Sequence, residues 1–169
     1  MMKNNSFVAL ILTHGRPDNV HTVKTLRKCG YTGDIIIVLD NEDPKIDRYR
    51  KNYENIYVFD KKEIASETDE GDNFNDRRAI IYARNASFEI AKEKGYQYFI
   101  ELDDDYTEFS YTYNQYGEMK QKNIINLDKV NNMKNRIIYF EGGKTVGICA
   151  EKYAKAVQTY KGYLIRYEK

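Results

Sequence analysis

Three consecutive carboxylates, Asp103-Asp104-Asp105, follow directly on the largely apolar run from Tyr96 to Leu102. Adjacent unit charges repel, and a pair at about 4 Å costs on the order of 1–4 kcal/mol, depending on exposure. A hard divalent cation removes that cost. Carboxylates at a strand end, with room left for phosphate oxygens, are what Mg²⁺ or Mn²⁺ requires. Strand alternation puts Asp103 and Asp105 on one side and Asp104 on the other, so Asp103 and Asp105 are the expected metal ligands. A solvated acidic turn is the plain alternative. The position after an apolar strand favours the ligand reading, because α/β sheets bind ligands beyond the carboxyl ends of their strands.

A second group stands at two other predicted strand ends. Thr13-His14-Gly15-Arg16 follows the run Phe7 to Leu12, and Asp40 closes the run that starts at Asp34. In an α/β sheet these loops are neighbours on the edge that carries the aspartates. An Asp there can accept hydrogen bonds from a nucleobase N–H or a ribose hydroxyl, and Arg16 can meet a phosphate. Taken alone, Arg16-Pro17-Asp18 reads as a helix start and His14 as a structural residue. A third group is Asp76-Arg77-Arg78 with Arg84-Asn85. Arg77 and Arg84 are seven apart, hence on one helical face, where cations would neutralise a diphosphate leaving group. The competing reading pairs these arginines with Asp72, Asp76 or Glu89 at the surface, and it suits Arg78 better than Arg84.

These residues need a scaffold of short buried strands alternating with helices. Phe7 to Leu12 and Asp34 to Asp40 carry continuous apolar runs, as suits strands covered on both faces of a parallel sheet. A helix is predicted between them, with Pro17 in its first turn, Val20, Val23 and Leu26 as its inward stripe and Gly30 at its end. Lys45 to Tyr53 reads as a short helix and Ile56 to Phe59 as a third strand. Lys61 to Asn75 reads as a long polar loop, a type that is often functional. From Arg77 to about Lys94, Ala79, Ala83, Ala86 and Ile90 recur at helical spacing, and Gly95 closes the helix before a fourth strand, Tyr96 to Leu102. Such alternation predicts an α/β domain with a mostly parallel central sheet. Further along, Phe109 to Tyr113, Arg136 to Phe140 and Val146 to Ala150 read as strands. Leu127 to Lys134 and Glu151 to Tyr160 read as helices, with turns at Gly117 and Gly142-Gly143.

Composition bounds the rest. A chain of 169 residues fits one core, and its 41% hydrophobic content is that of an ordinary globular protein. The net charge of +1 argues against a protein that coats DNA by overall basicity, while leaving room for a local basic cleft. Tyrosine is abundant and tryptophan absent, for which an AT-rich coding bias is the simplest account, since Lys, Asn and Ile are abundant too. Cys29 and Cys149 have no metal-like spacing, and nothing resembling a secretory signal precedes them. No apolar run approaches the roughly 20 residues of a membrane-spanning helix. A soluble cytoplasmic enzyme with reduced thiols is expected.

The order of these features resembles a family 2-type glycosyltransferase of the GT-A fold, a Rossmann-like fold for nucleotide-diphospho-sugar transfer. An apolar strand with Thr-His-Gly-Arg-Pro, a second strand ending in Asp40, the Ala-Arg-Asn helix and the Asp-Asp-Asp strand end carry the likeness, over about residues 6–106. It implies that Asp40 binds the base and that Arg84 and Asn85 face the nucleotide. Thr13, His14, Gly15, Arg16, Arg77 and Asp104 complete the nucleotide-contacting set, while Asp103 and Asp105 hold Mn²⁺ or Mg²⁺. The stretch Glu-Leu-Asp-Asp-Asp-Tyr and the Asp-Arg-Arg-Ala-x-x-x-Ala-Arg-Asn helix are most similar to the phage and mobile-element TET-associated glycosyltransferases, held to modify hydroxymethylated pyrimidines in DNA. That similarity implies a UDP-sugar donor, a hydroxyl acceptor in modified DNA, no membrane partner and, for a phage-encoded chain, the host cytoplasm.

One domain is expected over 1–169, with the nucleotide-sugar part at about 6–106 and the acceptor side at about 107–169. Transferases of this fold usually run well past 169 residues, and nothing after Gly143 matches their later motifs. That leaves a truncated or minimal transferase beside a nucleotide-sugar-binding module without catalysis. A nucleotidyltransferase is a further rival, although it would show a Gly-rich phosphate loop where Thr13 to Asp18 has only Gly15. No base for an inverting reaction stands out, since Glu101, Glu108 and Glu141 all qualify.

Overall fold

The computed structural model describes residues 7–68, 80–115, 118–128, 136–141, 145–150 and 164–166. Strands β1 (Phe7–Leu12), β2 (Asp34–Asp40), β3 (Ile56–Phe59) and β4 (Tyr98–Asp103) are parallel and ordered β3-β2-β1-β4. This is an α/β fold of the Rossmann-like, GT-A kind. The sheet is covered on both faces, which is why β1 is apolar throughout, with Val8 to Leu12 at most 2% exposed. One face carries Ala9, Ile11, Ile37, Leu39, Ile100 and Leu102 in one cluster with Val20, Leu26 of α1 (His21–Lys28) and Tyr49 of α2 (Ile46–Asn52). The other carries Val8, Leu10, Leu12, Ile36, Val38 and Phe99 in a cluster with Tyr82, Ala86, Ile90 and Ala91 of α4 (Ile81–Glu93). Tyr82, Ala86 and Ile90 are four apart and form one stripe. Ile90 is 1% exposed, so truncation to Ala would cost about 2–5 kcal/mol.

The structure departs from the sequence pattern in four places. The helix after β1 does not begin at Pro17. Arg16 to Asn19 form a turn in which the Asn19 N–H donates to the Arg16 carbonyl at 3.0 Å, with Pro17 at the second position that its fixed φ favours. The polar stretch after β3 is not all loop, because Lys61–Glu67 forms helix α3. Asp60 caps it, accepting from the Lys62 and Glu63 N–H groups at 2.8 and 3.1 Å. Its apolar side is only Ile64 and Ala65, packed against the α4 cluster, too little to register as a helical period. A second sheet follows, ordered β6-β5-β8-β7, from β5 (Ser110–Gln115), β6 (Glu118–Asn123), β7 (Arg136–Glu141) and β8 (Thr145–Ala150). The polar β6 shows no strand pattern of its own and is set by its antiparallel pairing with β5. Strand β9 (Leu164–Arg166), also unforeseen, runs antiparallel beside β4. Gly30 and Gly95 close α1 and α4 with positive φ, as expected. The turns at Gly117 and Gly142-Gly143, the helix over 151–160 and most of that over 127–134 lie outside the described residues.

Candidate active site

Strand register brings the chemical groups to one edge. Leu12 pairs with Val38 in β2 and with Asp103 in β4, and Asp40 pairs with Phe59 in β3. Thr13, Asp40, Lys61 and the 103–105 turn therefore leave the sheet on the same side. Between β1 and β4 the strand order reverses, which is where sheets of this type bind ligands. A cleft of about 590 Å³ opens there. Thr13, His14, Arg16, Asp40, Lys61, Arg84 and all three aspartates line it, with Val38, Phe59, Ile80 and Tyr82 among its apolar walls.

Helix α1 holds the aspartate turn. The Thr22 N–H donates to the Asp104 carbonyl at 3.2 Å, and its hydroxyl donates to the Asp103 carbonyl at 2.6 Å while accepting the Tyr106 N–H at 2.9 Å. One turn on, the Thr25 hydroxyl donates to the Tyr106 carbonyl at 2.7 Å. β4 ends at Asp103, so turn geometry rather than the strand pleat directs the next two side chains. Asp105 is exposed, Asp103 half-buried and Asp104 buried.

Asp104 pins two loops together. Its Oδ2 accepts from the Thr13 hydroxyl at 2.6 Å and its Oδ1 from Arg16 Nη1 at 3.2 Å. With its proton committed to Asp104, the Thr13 hydroxyl accepts from the Tyr49 hydroxyl at 3.0 Å, and that hydroxyl accepts the Arg16 N–H at 2.8 Å. Every bond in the chain thus has one direction, ending on the carboxylate. Burial pushes the Tyr49 phenol up from its ordinary pKa, which keeps the proton this chain needs.

Asp40 sits deeper. Its Oδ2 lies 2.8 Å from His14 Nδ1 and 3.5 Å from Lys61 Nζ, and its Oδ1 accepts the Glu42 N–H at 3.1 Å. A carboxylate can only accept, so His14 donates through Nδ1. Gly15 adopts φ +70°, a conformation that favours glycine, and is not among the cleft-lining residues. Its N–H donates to Asp43 at 2.7 Å and its carbonyl accepts from Lys45 Nζ at 2.8 Å.

On the α4 side, Arg84 Nη2 lies 3.5 Å from Asp103 Oδ1. Beneath it Glu101 is 3% exposed, and burial pushes its carboxyl up to about 7 against the opposing charge of Arg84. Asn85 is not among the cleft-lining residues, and its amide donates to Thr68 at 2.9 Å on the outer side. Arg77, with Asp76 and Arg78, lies outside the described residues. Of the three glutamates considered as bases, Glu101 is sealed below the cleft, Glu108 is exposed away from its lining, and Glu141 stands on β7.

Among the described residues no group of three or more His, Cys, Asp or Glu forms a complete metal cage. Asp103 and Asp105 nonetheless suit Mg²⁺ or Mn²⁺, which take one or two carboxylates and complete their shell with water and substrate phosphate. Two residues of this site escaped sequence reasoning. Lys61 could have been found from its place two residues past β3, on the same edge as Asp40. Tyr49 gave no signal, because its role rests on a contact with Thr13 across 36 residues of chain.

No helix among the described residues is long and apolar enough to cross a membrane. No curated protein and no solved structure matches the chain significantly. The family model of the TET-associated glycosyltransferases does match, over residues 7–162, from the first residue of β1 to beyond β8. The cleft, with its acidic turn and its cations at the reversal of strand order, lies wholly within that match. The chain belongs to the TET-associated glycosyltransferase family and is a glycosyltransferase.

Proposed function

We propose that this enzyme is metal-dependent, that its donor is a UDP-sugar and that its acceptor is a hydroxymethylpyrimidine in DNA. The donor half rests on the cleft, which gathers Asp103 and Asp105 with the cations of Arg16, Lys61 and Arg84 at the strand-order reversal. In this reading Asp40 meets the base or ribose, with Lys61 beside it, and Arg84 and Arg16 lie along the diphosphate. Asp103 and Asp105 hold Mn²⁺ or Mg²⁺, whose charge would stabilise the departing diphosphate. The acceptor hydroxyl oxygen bonds to the anomeric carbon, the bond from that carbon to the diphosphate oxygen breaks, and the hydroxyl proton passes to a base.

The acceptor half rests on the family description and on local charge. Lys120 and Lys122 are exposed on β6, within the second sheet, to which we assign acceptor binding in a single domain spanning the chain. Arg136 stands on β7, and Lys129, Lys134, Lys152, Lys155 and Lys161 lie outside the described residues. Phosphate contacts of this kind give affinity that falls steeply with salt. The test is transfer of radiolabel from UDP-glucose and other sugar nucleotides to hydroxymethylcytosine-containing DNA, beside plain DNA, peptide and oligosaccharide. Transfer to modified DNA alone is expected. Transfer to a saccharide or peptide but never to modified DNA removes the nucleic-acid acceptor.

A further inference from the structure

Glu101 stands two residues before Asp103 on β4, so the strand pleat directs both side chains to the same face of the sheet, the one α4 covers. It pairs in register with Leu10 of β1, in the middle of the sheet, and is not among the cleft-lining residues. A carboxylate in that position cannot touch a substrate, and burying one without a partner is costly. Yet Glu101 Oε1 is buried with no hydrogen-bond partner. Arg84, on the helix that covers this face, has a side chain only 20% exposed and lies near enough for its charge to act on Glu101, and its Nε is likewise buried without a partner. Ser87, one turn along α4, approaches the same carboxyl, while its own proton goes to the Ala83 carbonyl at 2.9 Å. The contact Arg84 does make, to Asp103, is long at 3.5 Å.

We propose that Glu101 is the positioning residue for Arg84, the buried counter-charge that keeps its guanidinium over the diphosphate subsite once Asp103 is drawn to the metal and the donor. This rests on the donor-site reading above. When a divalent ion takes the Asp103 carboxylate, Arg84 loses its visible partner. A mostly buried guanidinium needs a carboxylate nearby, and the one on the same sheet face, with an oxygen to spare, is Glu101. Anchored from below through Nε, Arg84 keeps its two terminal nitrogens for phosphate oxygens.

The experiment is calorimetric titration of UDP in the presence of Mn²⁺, at mildly alkaline pH, on the full chain and three variants, with melting temperatures measured in parallel. Glu101→Gln keeps the shape and removes the charge. It should bind UDP about tenfold more weakly, within the range for residues of one ion-pair network, while melting no lower than wild type. A merely structural glutamate would instead lower the melting temperature and leave affinity alone. Arg84→Met should also weaken binding, and Glu101→Gln added to it should cost nothing further. Unchanged UDP affinity in Glu101→Gln overturns the proposal, as does an equal loss in the Arg84→Met background. A wild-type protein that binds no nucleoside diphosphate at all sinks the donor-site reading itself, which is a different failure.

Discussion

Replacing Tyr49 by Phe removes one oxygen from the hydrogen-bond chain that supports the site and little else. Tyr49 is fully buried, and its hydroxyl accepts the Arg16 N–H at 2.8 Å and donates to Thr13 at 3.0 Å. In Tyr49→Phe the Arg16 N–H has lost its acceptor and the Thr13 oxygen its donor. Leaving one such group unsatisfied costs about 1–3 kcal/mol, and the middle of that range lowers the melting temperature of a chain this long by about 4–8 °C. The fault should also reach function, because Thr13 and Arg16 are the two groups that fix Asp104 and both line the cleft. Tyr53→Phe is the control. Its hydroxyl, at the end of the same helix, donates to the Pro17 carbonyl at 3.0 Å outside the cleft lining. Thermal unfolding followed by circular dichroism, with UDP titration in Mn²⁺, should show both variants destabilised and only Tyr49→Phe weakened for nucleotide. A Tyr49→Phe protein that melts and binds like wild type would refute the directed chain from Arg16 to Asp104.

Three other outcomes are expected. Asp105→Ala should abolish Mn²⁺-dependent UDP binding without loss of stability, since Asp105 is exposed, whereas Asp104→Ala should unfold about 2 kcal/mol more easily by stranding the buried Thr13 hydroxyl; calorimetry showing full affinity in Asp105→Ala would count against its metal role. Asp40→Ala should weaken nucleotide binding and destabilise the fold by leaving Lys61 buried without its counter-charge, and adding Lys61→Met should restore the melting temperature but not the affinity. Recovery of both would show that Asp40 serves only to neutralise Lys61. Glu101 has a folded-state pKa of about 7 against an ordinary 4.5, so the folded protein holds the extra proton between those values. The stability tied to that proton is complete below the lower value and is lost as pH rises through about 7. Glu101→Gln should therefore melt with wild type in acid and above it at alkaline pH, and a constant difference across that window would exclude the assignment.

Much of the scaffold was written in local pattern. Continuous apolar runs marked β1 and β2, because strands covered on both faces need no polar alternation. Alanines and Ile90 at helical spacing marked α4, and Gly30 and Gly95 marked helix ends that require positive φ. The aspartates announced themselves by type and by position at a strand end, and strand order alone predicted that Thr13 and Asp40 would share their edge. Local pattern reports which face of a segment is buried, not what it meets there. Asn85, one residue from Arg84, therefore turns to Thr68 at the end of α3 rather than into the cleft, following a helix that the sequence had hidden in a polar stretch. Strand alternation had set Asp104 apart from Asp103 and Asp105, but what holds Asp104 was equally out of reach, because β4 stops at Asp103 and α1 takes over the turn through Thr22 and Thr25. What the sequence by itself determined was an α/β sheet with an acidic turn at its carboxyl edge. That Asp104 is locked while Asp105 stays exposed was decided by a partner 91 residues away, since only the packed sheet and helices bring Thr13 within hydrogen-bonding distance of Asp104.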